Sequence, residues 1–137
     1  VMVAHAVFPG LDPERRPASL SRPIASLLLR GRLGFSGLTV ADDLEMRALE
    51  PWGELPERSE AALLAGCDLL PVCHTLEAVP EILDRLERPG LAGRLAEARD
   101  RLSGYRQALR EHSPPERPDL ATVRARLEEV RADAQTA

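Results

Sequence analysis

The sequence predicts an α/β fold with parallel strands, and three observations carry that reading. Short apolar runs at residues 1–4, 38–41 and 67–74 lack the polar alternation of a sheet with one wet face, which suits strands buried on both sides. Each run is followed by helix-compatible sequence, so strand and helix alternate three times at intervals of roughly 30 to 40 residues. Each run also closes on a polar side chain, His5, Asp42 and His74, which parallel strands would place at one common edge. Three strands cannot close a barrel, and a (β/α)8 barrel needs about 250 residues. The 137 residues therefore form either a small open α/β domain or the last part of a barrel, with surplus helix at the carboxyl end.

In chain order, the run 1–4 reads as a buried strand and His5 as the residue at its carboxyl end. Pro9-Gly10-Leu11-Asp12-Pro13 has strong turn chemistry. Ser19 or Ser21 can cap a helix whose first turn takes Pro23 and whose apolar face is Ile24, Leu27, Leu28 and Leu29. Gly31 and Gly34 end it, and the strand 38–41 follows. Residues 51–56 read as a loop and about 57–65 as a short helix closed by Gly66. In the third run Pro71 removes a ladder donor from what is read as an interior strand. Thr75 can cap the next helix, which carries Leu76, Val79, Ile82, Leu83 and Leu86 and tolerates Pro80 only in its first turn. Pro89-Gly90 breaks the chain before a long Arg/Glu/Ala/Leu helix reaching about Arg110. A proline-rich linker at 113–118 leads to an amphipathic helix in 119–137, with Leu120, Val123, Leu127 and Val130 on one face.

Composition narrows the chemistry. All 18 basic residues are arginine, which removes Schiff-base and phosphate-binding lysines from the chain. A net charge of −4, with no arginine cluster beside aromatics, argues against a nucleic-acid partner. No apolar run approaches the roughly 20 residues of a membrane span. Val1 opens directly in an apolar run, so the chain reads as cut from something longer. Cys67 and Cys73 have the spacing of neither a CxxC redox pair nor a zinc pair, and both read as buried free thiols. No metal site and no cofactor are expected.

The stretch Leu38-Thr39-Val40-Ala41-Asp42-Asp43-Leu44-Glu45-Met46 is the focus of the chain. A buried strand running into two adjacent carboxylates puts them at the edge where α/β proteins bind ligands and do chemistry. The same pair can also be an ordinary helix cap with a neighbour. His5 occupies the matching position one unit earlier, and it too has a plain alternative as a hydrogen-bonded core residue.

Three pieces of the sequence, in order, resemble the carboxyl-terminal part of the family 3 glycoside hydrolase catalytic domain. They are Val1-Met2-Val3-Ala4-His5, then Leu33-Gly34-Phe35-Ser36-Gly37-Leu38 leading into Ala41-Asp42-Asp43-Leu44-Glu45-Met46, and last Ala65-Gly66-Cys67-Asp68-Leu69-Leu70. The branch resembled is the bacterial β-N-acetylhexosaminidases of cell-wall recycling. Two departures are Ala41, where the family usually has serine, and Pro71 in a strand usually all aliphatic. The resemblance implies that residues 1–112 are the last three βα units of a (β/α)8 barrel. It implies that Asp42 is the catalytic nucleophile, that Asp43 orients the site or caps the following helix, and that His5 and Met46 line the sugar pocket. It further implies a retaining hydrolase acting on β-linked N-acetylglucosamine, plausibly from peptidoglycan fragments, without cofactor or metal and in the cytoplasm. In that branch the acid/base is a histidine on a Gly-His-Gly-Asp type loop, which this sequence lacks. The chain alone is therefore expected to be incomplete and inactive, with the rest of the barrel missing.

Other readings of paired aspartates fit less well. A phosphoacceptor receiver domain needs a lysine at a later strand end, and magnesium-dependent prenyl transfer needs further aspartates. The serious competitor is a truncated, non-catalytic interaction or binding fragment derived from such a hydrolase.

Overall fold

The computed structural model describes residues 1–112 and 119–136, which fall into two units, Val1–Gln107 and Ala108–Ala137. In the first unit, β1 (Met2–Val3) and β2 (Val40–Ala41) pair in parallel, with Met2 beside Val40 and Val3 beside Ala41. On the other side of β2, Leu69 forms a parallel bridge to Val40. The three apolar runs therefore lie side by side in chain order, β2 in the middle. The Val40 and Asp42 amides donate to the Val1 and Val3 carbonyls, and the Ala41 amide to Leu69, at 2.9, 3.0 and 3.0 Å.

The third run is a single bridge rather than the strand expected over 67–74. Pro71 has no amide to continue the ladder, although its carbonyl still accepts the Leu44 amide at 3.2 Å. The chain instead turns outward, which leaves Cys73 exposed while Cys67 is buried. The expectation of two buried thiols thus holds for Cys67 and is corrected for Cys73.

The helix after the first loop is a π-helix, Pro23–Arg32, with proline in its first turn as expected. The Ser21 hydroxyl accepts the Ile24 amide at 3.4 Å and tends its start, while Ser19 is used elsewhere. Because its bonds reach back five residues, as from Leu33 to Leu28 at 2.9 Å, Ile24 and Leu29 share the core-facing side. Leu27, expected on that side, is exposed for the same reason. After β2, Arg47–Trp52 forms a 3-10 turn, and α1 (Leu55–Ala65) starts two residues before the expected position. Gly66 ends it at φ +129, and a Cβ there would lie 3.1 Å from the Ala25 carbonyl, so glycine is required by both conformation and close approach. A 3-10 turn, Leu76–Ala78, leads into α2 (Val79–Leu86), and α3 (Ala92–Glu111) follows Pro89–Leu91.

Two apolar clusters hold the first unit. Val3, Leu20, Ala41, Leu44, Leu49 and Cys67 pack under the strands, and Leu63, Ile82, Leu86, Leu91 and Ala98 join α1, α2 and α3. In the second unit α4 (Leu120–Thr136) starts at Asp119, whose carboxylate accepts the Thr122 amide at 2.9 Å. Leu120, Val123 and Leu127 are exposed. The expected linker 113–118 and the side chain of Val130 lie outside the described residues. Among the described residues no helix is long and apolar enough to cross a membrane, and no cluster of three or more potential metal ligands occurs.

Candidate active site at the carboxyl end of β2

β2 delivers Asp42 and Asp43 to the edge where the first and third segments also end. Asp42 is half-buried, and its Oδ1 accepts the Asp43 amide at 2.9 Å. Asp43 Oδ1 accepts the Glu45 amide at 3.0 Å, a side-chain turn that bends the chain away from the strand. The Asp43 carbonyl accepts the Met46 amide at 3.1 Å, closing that turn. Met46 itself is exposed beside it.

His5 reaches the same place from β1. Its Nε2 lies 2.8 Å from the Asp43 carbonyl and its Nδ1 2.7 Å from the hydroxyl of the buried Ser19. A carbonyl only accepts, so Nε2 carries the proton, and in the neutral ring Nδ1 accepts from Ser19. Both ring nitrogens are thereby committed, and the ring braces the backbone of Asp43.

The third segment closes the edge through Glu45. Its Oε2 accepts the amides of Cys73 and His74 at 2.7 and 2.6 Å, and its Oε1 accepts the amide of Thr75 at 2.8 Å. The Thr75 hydroxyl, helped by those three amides and opposed by partial burial, holds the Glu45 carboxyl down at about 2. The threonine expected to cap the following helix makes no capping bond of its own, because its hydroxyl is turned to Glu45. Partial burial pushes the Cys73 thiol up, and the charges of Asp43, Glu45 and Asp42 with a hydrogen bond to Asp43 add to it. The thiol thus stands among the carboxylates.

The sequence places His5, Asp42 and His74 at one edge, with Asp43 next to Asp42 and Met46 in the pocket that the resemblance implies. The structure brings His5, Asp42, Asp43 and Met46 together there, and His74 arrives through its backbone amide on Glu45. Sequence reasoning missed Glu45, Ser19 and Cys73. A glutamate three residues beyond the first aspartate, on a turn, was the available signal for Glu45. A cleft of about 440 Å3 lies behind this edge, lined by Glu45, Glu50, Glu54, Arg58, Thr75 and Glu81 among others, and none of His5, Asp42, Asp43 or Met46 lines it.

At the opposite end of the third segment, Asp68 is a buried anchor. Its Oδ2 accepts Arg30 Nη2 at 2.6 Å and the Thr39 amide at 3.0 Å. Its Oδ1 accepts Arg94 Nη2 at 2.7 Å and Arg101 Nη1 at 3.0 Å.

Comparison with known proteins fits this arrangement. A model of the Glycosyl hydrolase family 3 N terminal domain matches residues 1–110. A beta-hexosaminidase of Bordetella parapertussis is 44% identical over 87 residues, which are 64% of this chain and 24% of that protein. One from Chromobacterium violaceum is 34% identical over 130 residues, 95% of this chain and 36% of that protein. Among solved structures, a glycoside hydrolase family 3 beta-N-acetylglucosaminidase from Paenibacillus sp. str. FPU-7 superposes with a TM-score of 0.74 at 32% identity, covering 88% of this chain and 24% of that one. A beta-N-acetylhexosaminidase from Beutenbergia cavernae DSM 12333 gives 0.69 at 31% identity, covering 77% of this chain and 32% of that one. The chain thus spans about a quarter to a third of the length of these proteins.

Proposed function

Since the chain belongs to the glycosyl hydrolase family 3 N-terminal domain family, we propose that it is the nucleophile-bearing part of a retaining β-N-acetylhexosaminidase. Asp42 is the nucleophile, and the substrate is a glycan with terminal β-linked N-acetylglucosamine, such as a peptidoglycan fragment. The observation that carries the reading is the position of Asp42: end of β2, half-buried, on the edge where His5 and residues 73–75 converge.

In the first step a carboxylate oxygen of Asp42 attacks the anomeric carbon and forms a glycosyl ester, as the bond to the leaving oxygen breaks. In the second, water attacks the same carbon, the ester bond to Asp42 breaks and leaves it ionised, and the water's proton goes to the group that protonated the leaving oxygen. The Asp43 amide on Asp42 Oδ1 holds that carboxylate in place. Asp43 orients the turn through the Glu45 amide. His5 and Met46 line the sugar pocket, His5 with the face and edge of a ring whose nitrogens are committed.

The leaving oxygen must also receive a proton, and the Gly-His-Gly-Asp type segment that supplies it in the resembled branch is not in this sequence. Residues 1–112 are accordingly read as the last three βα units of a (β/α)8 barrel, with 113–118 a linker to the helix in 119–137. An apolar groove of about 270 Å3 along β1, lined by Val1, Met2, Phe8, Ile24, Leu28 and Leu33 among others, supports a preceding unit packing there. The missing acid also supports a second reading, a non-catalytic binding or interaction fragment.

The deciding experiment joins this chain to the upstream barrel units and treats the protein with a mechanism-based fluorinated N-acetylglucosaminide. The reading expects the label on the peptide containing Asp42. A label on another carboxylate overturns the assignment. No label, from a folded protein, favours the non-catalytic reading.

A further inference from the structure

The geometry points to Glu45 as the positioning residue of this edge: its carboxylate fastens residues 73–75 to the turn carrying Asp42 and Asp43, and so sets where Cys73 stands among those carboxylates. Its consequence for catalysis rests on the reading of Asp42 as nucleophile, but its geometry does not. Past the bond from Leu44 to the Pro71 carbonyl, the third segment has no ladder to hold it. Beyond Val72, three successive amides, on Cys73, His74 and Thr75, all go to the two oxygens of Glu45, at 2.6 to 2.8 Å. Three adjacent amides converging on one anion form a nest, and bonds to an ionised acceptor are about twice as strong as neutral ones.

The connection runs through both ends of Glu45: the Asp43 carboxylate fixes its amide, and its own carboxylate fixes the amides of Cys73, His74 and Thr75. A bare helix cap would satisfy amides ahead of α2 without tying them to the turn that carries Asp43, so this tie is what separates positioning from capping.

The test uses the 137-residue chain with Glu45→Gln and Glu45→Asp. Gln keeps the length but faces its NH2 toward amide donors, and Asp keeps the charge but is one methylene short. Amide exchange followed by NMR at Cys73, His74 and Thr75 should quicken about tenfold to a hundredfold in Gln, the range expected for losing bonds to a charged group, and less in Asp. The Gly66 amide at the end of α1 and the Glu87 amide at the end of α2 should be unchanged. Iodoacetamide should modify Cys73 faster in Gln, with Asp again intermediate, because the thiol leaves its carboxylate neighbours. Unchanged exchange at the three amides overturns the inference. So does a Gln variant in which α2 frays while Cys73 labelling stays the same, since that is simple capping. If Gln prevents folding, the charged Asp variant carries the same measurements. Neither readout involves hydrolysis, so failure here leaves the Asp42 assignment to its own labelling experiment.

Discussion

Asp68→Asn should cost this small domain a large part of its stability. The carboxylate is fully buried and accepts four bonds, two on each oxygen, from Arg30, Arg94, Arg101 and the Thr39 amide. Asparagine keeps one acceptor oxygen. Whichever oxygen becomes the amide nitrogen, two donors lose their acceptor and meet another donor instead. The negative charge that three guanidiniums share is also gone. Donors already exceed acceptors here, since Arg30 Nε and Arg94 Nη1 are buried without a hydrogen-bond partner. Removing one side of a buried ion pair typically costs about 3–5 kcal/mol. Against a total of about 5–15 kcal/mol for a typical domain, that is roughly a fifth or more. With a urea slope of about 1–3 kcal/mol per molar, the midpoint should fall by roughly 1–5 M in an equilibrium titration followed by circular dichroism. The loss should persist in high salt, because the pairs are shielded from it. Arg101→Met should be milder, as it leaves Asp68 with Arg30 and Arg94. An unfolding free energy for Asp68→Asn within about 0.5 kcal/mol of wild type would show that the network is not what holds the segment.

Gly66→Ala should destabilise by about 2–3 kcal/mol in the same titration, since a side chain at φ +129 is strained and its Cβ meets the Ala25 backbone. Burial pushes the Cys67 thiol up to about 12, so the folded chain keeps a proton that the unfolded chain releases near pH 8.5. Its contribution is therefore complete below about pH 8.5 and shrinks as pH rises toward 12, and Cys67→Ala should flatten the decline of the urea midpoint over that window. The 137-residue chain alone should release no nitrophenol from 4-nitrophenyl N-acetyl-β-glucosaminide. Turnover abolished by Asp42→Asn would mean that these residues contain their own acid/base.

The parts of the fold that local pattern dictates were legible in the sequence. The apolar runs ending at His5 and Asp42 located β1, β2 and the carboxylate edge, although β1 is not buried on both faces as expected: Val3 is buried while Val1 and Met2 are exposed. Gly66 and Pro80 marked helix ends for steric reasons that hold anywhere. What was not legible depends on partners distant in sequence. Glu45 finds its acceptor role with residues 28 to 30 positions away, and Asp68 finds Arg94 and Arg101 26 and 33 positions away. The π-helix was invisible for a different reason. Its sequence has acceptable spacing for an α-helix, and the wider turn shows only in the structure, where Ile24 and Leu29 both pack against the core. Cys73 read as buried because it stands in an apolar run, yet Pro71 had already ended the ladder that would have buried it.

Pro71, Asp68 and Glu45 together explain how a segment with one bridge can still be placed accurately. A regular strand is held along its length, each amide fixing the next. Here the ladder to β2 thins after Leu69, so position must be set at the ends. At the amino end, the buried Asp68 is locked by three arginines from the π-helix and α3 and by the Thr39 amide at the base of β2. At the carboxyl end, Glu45 reaches from beyond β2 to take three successive amides. Both locks tie the segment to β2 or its continuation, the same strand that delivers Asp42. The distance between residues 73–75 and Asp42 is therefore fixed through one shared strand, without depending on the uninterrupted aliphatic ladder that the proline removes.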